Sequence, residues 1–190
     1  MKIAVVQASS QAEKNDMLFR YTQKYAKNSE VMNYGCFSDD VEKYSYIEIA
    51  LLVGMLIDSK HVDFVVTGCS SGQGMMLACN SMPGVVCGYA PTPKDAYLFA
   101  QINNGNAISL PLGEEYTYAG EQNLEETIKA LFSEPFGGGY PQSEAERKIA
   151  DANQLKKMKE KSQVTFQTFL SEWNPDMVMK VKRILERMQL

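Results

Sequence analysis

The chain has 190 residues, 45% of them hydrophobic, and a formal net charge of -4. That length fits one substantial core, so one compact α/β body is expected rather than two, and an acidic balance without a clustered basic face argues against a nucleic-acid partner. No apolar stretch reaches membrane-spanning length, and "MKIAVVQASS" is too short and too soon polar for a secretory signal, which points to a cytoplasmic, membrane-free protein.

In chain order, "KIAVV" (2–6) is short, β-branched and apolar on both faces, as a buried parallel strand requires. Met17, Leu18, Tyr21 and Tyr25 then fall on one helix face, and "EVMNYG" (30–35) is a weaker strand candidate. Ile47, Leu51, Gly54 and Met55 mark the next helix, followed by the apolar strand "VDFVVT" (62–67). "GVVCGY" (84–89) and "NAISLP" (106–111) are weaker strands of the same kind. Strand and helix in alternation give right-handed βαβ units, hence a Rossmann-like three-layer α/β/α sandwich on a five-stranded parallel sheet.

"EPFGGGYP" (134–141) stops any regular element. Beyond it the chain is charged and helical from about Ser143 to Trp173, with "KKMKEK" (156–161) as a solvated face. A last helix starts with Asn174 as cap, Pro175 in the first turn and Asp176 at its positive end. Its stripe of Met177, Val178, Val181, Ile184, Leu185 and Met188 has to lie against something, either this subunit or a neighbour.

Cys36, Cys69, Cys79 and Cys87 include no C-x-x-C pair, so reduced thiols are expected. One histidine, His61, makes no zinc cluster, no acid-rich cage suggests another metal, and no cofactor is implied. The scarcity of histidine also removes the usual base of a Cys-His pair. Cys36, Cys79 and Cys87 read as packing residues, and Tyr44 and Tyr46 as amphipathic packing groups at a helix start. Ser9, after the first strand, is a candidate helix cap or ligand contact.

The stretch "TGCSSGQGMML" (67–77) puts Cys69 at the end of the third strand. It either fills a gap as a small hydrophobe or faces exposed amides as a base or nucleophile. Open α/β sheets bind ligands outside the carboxyl ends of their strands, and Gly72 and Gly74 let backbone amides approach one. The stretch has neither the third glycine of a dinucleotide fingerprint nor the G-K-[ST] of a P-loop, and Met75 stands where a cysteine phosphatase needs arginine.

"CSSGQGM" (69–75) and "ACNSMPGV" (78–85) resemble the C-G-T-G-x-G-[MI] and A-A-N-K-x-x-G-[IV] motifs of the ribose-5-phosphate isomerase type B and galactose-6-phosphate isomerase family. "SEVMNYGCFSDD" (29–40), "QINNGNAISLPLG" (101–113) and "FGGG" (136–139) match further family segments in the right order. The resemblance divides the chain into a family-like α/β domain, 1–148, and a helical extension, 149–190, packed on that domain or at a dimer interface.

It implies metal-independent interconversion of aldose and ketose phosphates through an enediolate. Cys69 would be the base, with Ser71 in place of the threonine that handles the ring oxygen. Ser70, Gly72, Gln73 and Gly74 would cradle the anion, and Asn103 would bond sugar oxygens. A homodimer or higher homo-oligomer with a site between subunits is implied as well.

The departures fall on substrate handling: Ala8-Ser9 replace the D-H pair, Ile102 the ring-opening histidine, and Glu115, Gly139 and Ser143 the phosphate-binding arginines, while Tyr140 stands for a histidine. Arg147, Lys148 and Lys94 are the replacement cations on offer. Three readings follow: an isomerase of altered specificity, a silent sugar-phosphate-binding module, or one subunit of a heteromeric isomerase.

Overall fold

Five short strands carry the architecture in a computed structural model that describes residues 1–114 and 120–188. They are β1 (Lys2–Val6), β2 (Glu30–Gly35), β3 (Phe64–Cys69), β4 (Cys87–Tyr89) and β5 (Ala107–Pro111). All pair in parallel, in the order β2-β1-β3-β5-β4. Successive side chains of a strand point to opposite faces. Ile3, Val5, Phe64 and Val66 accordingly serve one apolar cluster, and Ala4, Val6 and Val65 the other.

Helices cover both faces, as the continuous apolar strands require. On the first face α1 (Asn15–Tyr25), α4 (Pro93–Leu98) and α5 (Gly120–Leu131) bring Leu18, Ala96 and Ile128 to the sheet. On the second, α2 (Tyr46–Asp58) and α3 (Gln73–Ser81) bring Ile49, Leu52, Val53 and Met75. The expected three-layer sandwich on a five-stranded parallel sheet is what forms. The fourth strand is shorter than the sequence predicts, because Gly84 turns at φ +77° and the Asn106 side chain bonds the backbone of Val86 and Gly84 before pairing begins.

The charged tail is interrupted where one long helix is predicted. α6 (Ala145–Ser162) ends, and Thr165 caps a new start for α7 (Phe166–Glu172) by accepting from the Thr168 amide. Phe166 packs on Gly54, where a Cβ would meet its ring at 2.6 Å. α8 (Pro175–Arg187) is capped as its sequence indicates, with the Asn174 side chain accepting from the amides of Asp176 and Met177. Its stripe joins the α2 and α3 cluster, with Val181 and Ile184 fully buried. The burial of those two side chains alone is worth on the order of 3 to 6 kcal/mol before ordering costs. Within the described residues, no helix is long and apolar enough to cross a membrane.

Candidate active site

The chain passes from β1 to β2 on one side of the sheet, then crosses to β3 on the other. The loops after β1 and β3 therefore diverge, and the crevice they leave at the carboxyl ends is where ligands bind in such sheets. β3 carries Cys69 to that crevice. The loop behind it is anchored to the end of β5: Leu112 N–H donates to Cys69 O at 3.0 Å, Gly113 N–H to Ser70 O at 3.0 Å, and the buried Ser109 hydroxyl to Gly72 O at 2.6 Å. Gly72 turns at φ +75°, and a Cβ there would lie 2.8 Å from Pro111 N and from the Tyr89 ring. Only glycine fits both demands. The first amides of α3, from Gln73 onward, have no intrahelical acceptor and are available to an anion.

The opposite wall comes from the segment between β2 and α2. Ser9 N–H donates to Tyr44 O and Tyr44 N–H to the Ser9 hydroxyl, so this pair ties the segment to the end of β1. The Ser9 hydroxyl also bonds the Cys36 thiol, whose pKa burial nevertheless pushes up. Beneath them Gln7, Asn15 and Asn33 form a hydrogen-bonded network that donates to Cys36 O at 2.7 Å. Ser45 and Glu48 close a capping box at the start of α2. Tyr46 then lies over Gly74, its ring 3.4 Å from where a Cβ would be.

α8 holds this wall from outside. Lys180 Nζ reaches Glu48 Oε1 at 2.6 Å and Lys43 O at 2.7 Å, Arg183 reaches Glu42 at 2.5 Å, and Arg187 reaches Asp40 at 2.7 Å and Tyr34 O at 3.0 Å. Lys180 also sits 5.0 Å from the centre of the Tyr44 ring. Burial would lift the Glu48 carboxyl, but hydrogen bonds from Lys180 and Ser45 outweigh it and hold the pKa below the ordinary value.

Between the walls is a cleft of about 410 Å³. Cys69, Ser70, Ser71 and Gly74 face Ser10, Tyr44, Ser45 and Tyr46 across it, with Ala8 at its margin. Cys69 is 8% exposed and unpaired. The Ser71 and Tyr46 hydroxyls make no hydrogen bond among the described residues, whereas the Ser70 hydroxyl accepts from Gln11 Nε2 at 3.0 Å. No side chain lining the cleft carries a formal charge. A thiol base can work here against amide and hydroxyl donors, the combination that stabilises an oxyanion formed beside a carbonyl.

Cys69, Ser70, Ser71, Gly72, Gln73 and Gly74 thus share one loop and helix start. Asn103 does not join them. It ends a single π turn, Phe99–Asn103, ahead of the amino end of β5, and lines a separate recess along the edge strand β4. The glycine segment lies at the amino ends too, with Gly137 and Gly139 N–H donating to Ala100 O and Gln101 O, and Phe136 edge-on to Phe64 at 5.1 Å. β3 alone separates its two ends by roughly 17 Å at about 3.3 Å per residue.

Of the proposed cations, Arg147 of α6 is paired to Glu144, just before the helix, and to Asp151 one turn on, Lys148 is on the same helix, and Lys94 is exposed in the first turn of α4. None lines the cleft. Lys159, placed on a solvated face by sequence, instead donates to Asn80 O at 2.8 Å. Glu115 lies outside the described residues.

Sequence reasoning assigned Tyr44 and Tyr46 to packing and passed over Ser10, Ser45 and Gln11. A signal was present in the S-x-x-E pattern of Ser45 to Glu48, which starts α2 directly beside the crevice.

The fold is thus an open, doubly wound α/β sheet with a cysteine and an amide-rich turn at its switch point. The chain itself belongs to the ribose/galactose isomerase family, whose model matches residues 3–150. A structure described as a 4-deoxy-L-threo-5-hexosulose-uronate ketol-isomerase complexed with a tartrate is 40% identical, with a TM-score of 0.89 over 95% of this chain and 86% of that one. One described as a ribose-5-phosphate isomerase from Vibrio parahaemolyticus is 38% identical, with a TM-score of 0.89 over 96% of this chain and 87% of that one. A ribose 5-phosphate isomerase from Thermotoga maritima is 27% identical, with a TM-score of 0.63 over 80% and 97% of the two chains. No curated protein matches the chain.

Proposed function

We propose that this protein is an aldose–ketose isomerase for an anionic open-chain sugar, in which Cys69 moves a proton between adjacent carbons through an enediolate. The observation that supports it most is the position of Cys69, at the carboxyl end of β3 and facing a hydroxyl-lined cleft beside the first turn of α3. The altered specificity is towards a carboxylate-bearing sugar of the uronate type. A phosphate dianion is held most strongly by charge-assisted bonds from cations, and the cleft of one chain offers only amides and hydroxyls, which suit the single delocalised charge of a carboxylate. The 40% identical structure described as a uronate ketol-isomerase supports the same substrate class.

A sugar phosphate is the second reading, favoured by one observation: Asn103, the glycine segment and α6 all lie at the far end of the sheet. A second copy that placed its amino end over the Cys69 cleft would add Asn103 to the site, and Arg147 or Lys148 with it. We therefore also propose a homodimer whose site is shared between subunits.

The experiment is exchange of the C2 proton with deuterated solvent, followed by NMR for a 5-keto-4-deoxyuronate, ribose 5-phosphate and galactose 6-phosphate, with wild type and Cys69→Ala. Exchange and turnover of the uronate, both lost in the variant, is the expected result. Turnover of a phosphate instead transfers the assignment to the second reading. Binding without exchange overturns the isomerase for the isolated chain and leaves a binding module or a missing partner subunit.

A further inference from the structure

Beyond Cys69, the isomerisation needs a second group. When the base carries a proton from C2 to C1, another proton has to pass between the oxygens O1 and O2, and Ile102, which stands where the resemblance placed the ring-opening histidine, brings no proton-transfer group. We propose that the Ser70 hydroxyl is that relay, held in the required orientation by Gln11; this rests on the isomerase reading above.

Ser70 is next to Cys69 and lines the cleft, in a place where the family motif has glycine. A hydroxyl has one hydrogen and two lone pairs. Gln11 Nε2 donates to Ser70 Oγ at 3.0 Å and so occupies one lone pair. One hydrogen and one lone pair remain for the cleft, the complement of a carbonyl oxygen and the neighbouring hydroxyl. Gln11 is itself only 9% exposed, and its Oε1 is buried without a partner among the described residues. A buried acceptor left unpaired costs about 1 to 3 kcal/mol. A side chain whose amide nitrogen serves Ser70 while its oxygen goes unsatisfied is therefore poorly explained by stability alone.

The step balances. The Cys69 thiolate takes the C2 proton, and the C–H electron pair forms the C1–C2 double bond while the carbonyl pair moves onto O1. Ser70 gives its proton to O1 and accepts the proton of O2. The O2 electron pair forms the new carbonyl at C2, and Cys69 returns its proton to C1. Both side chains end as they began, and no oxidant or reductant is needed. Ser70 acts as a catalytic residue and Gln11 as a positioning residue.

The test compares two rates in D2O, C2 exchange and ketol turnover, using the 5-keto-4-deoxyuronate and ribose 5-phosphate as probes with wild type, Ser70→Ala and Gln11→Met. Losing a relay lowers turnover roughly 100-fold. It leaves exchange by Cys69 within about threefold, so the exchange-to-turnover ratio rises. Gln11→Met, which keeps the volume but frees the Ser70 rotor, raises the ratio in the same direction by about tenfold at constant melting temperature. Equal loss of both rates, or no loss of either, overturns the relay while the isomerase reading stands. A wild type that exchanges neither probe overturns the isomerase reading itself, and the relay with it.

Discussion

The two ends of the sheet differ in kind. At the carboxyl ends a cysteine, free hydroxyls and unpaired helix amides converge on an uncharged cleft, while at the amino ends Asn103 and the glycine segment gather beside a charged helix. At the carboxyl ends the charged groups of α8 are spent on ion pairs behind the cleft wall, and Arg147 and Lys148 lie at the other end of the sheet, about the length of a strand away. The lesson is that the chemistry can be assigned to a single fold while the recognition of substrate charge requires either a weaker demand, as with a carboxylate, or a second copy.

The sharpest way to break the comparison is at Cys69. Cys69→Ala is expected to lower C2 exchange by about a thousandfold, the scale of a lost general base, with melting temperature as control. If exchange persists, the reactive end has been misplaced. Next in size is Asn103→Ala, expected to lower turnover by roughly ten- to a hundredfold although the side chain is remote from Cys69 in its own chain. Mixing it with Cys69→Ala distinguishes the two accounts. Exchange of subunits in a shared-site dimer puts one intact site in half of the dimers, restoring about a quarter of wild-type sites. A site complete within one chain gives no recovery.

Smaller effects come from the outer clamp. Lys180→Met removes the bonds to Glu48 and Lys43, and is expected to raise KM several-fold with kcat little changed, at a stability cost of about 1 kcal/mol. Chemical denaturation and steady-state kinetics measure the two parts. The smallest effect is in pH. Glu48 has a lowered folded pKa, so its contribution is present above the unfolded value of about 4.3 and is lost as pH falls through the folded value. The melting-temperature gap between wild type and Lys180→Met should be constant near neutrality and close below about pH 4. A gap independent of pH would show that Lys180 stabilises through its packing on Tyr44 instead.

The sheet was legible because its signal is local. The continuous apolar run "KIAVV" states strand and burial in five residues, "EVMNYG" does so more weakly, and β1 and β2 form over those residues. The cap of α8 was equally plain, since Asn174, Pro175 and Asp176 each act within one turn. Cys69 and its loop could be picked out by the same logic, from a glycine-rich stretch after an apolar strand. The break between α6 and α7 was hidden because Gln163 to Thr165 contain neither glycine nor proline, and the decisive contact, Phe166 on Gly54, spans much of the chain. Tyr46 and Gln11 were missed for a related reason. Their roles come from facing Gly74 and Ser70 across a crevice between strands, and no local pattern encodes a crevice.

The clamp on the cleft wall also bears on the order of folding. Its hydrogen bonds join residues 132 to 153 positions apart, between α8 and the segment from Tyr34 to Glu48. Contacts that close such long loops lose the most chain entropy before they contribute, so they are expected to form after the sheet and its local helices. The outer clamp on the wall carrying Tyr44 and Tyr46 is thus expected to set after the sheet, leaving the wall held first by the Ser9–Tyr44 pair and the Ser45–Glu48 capping box.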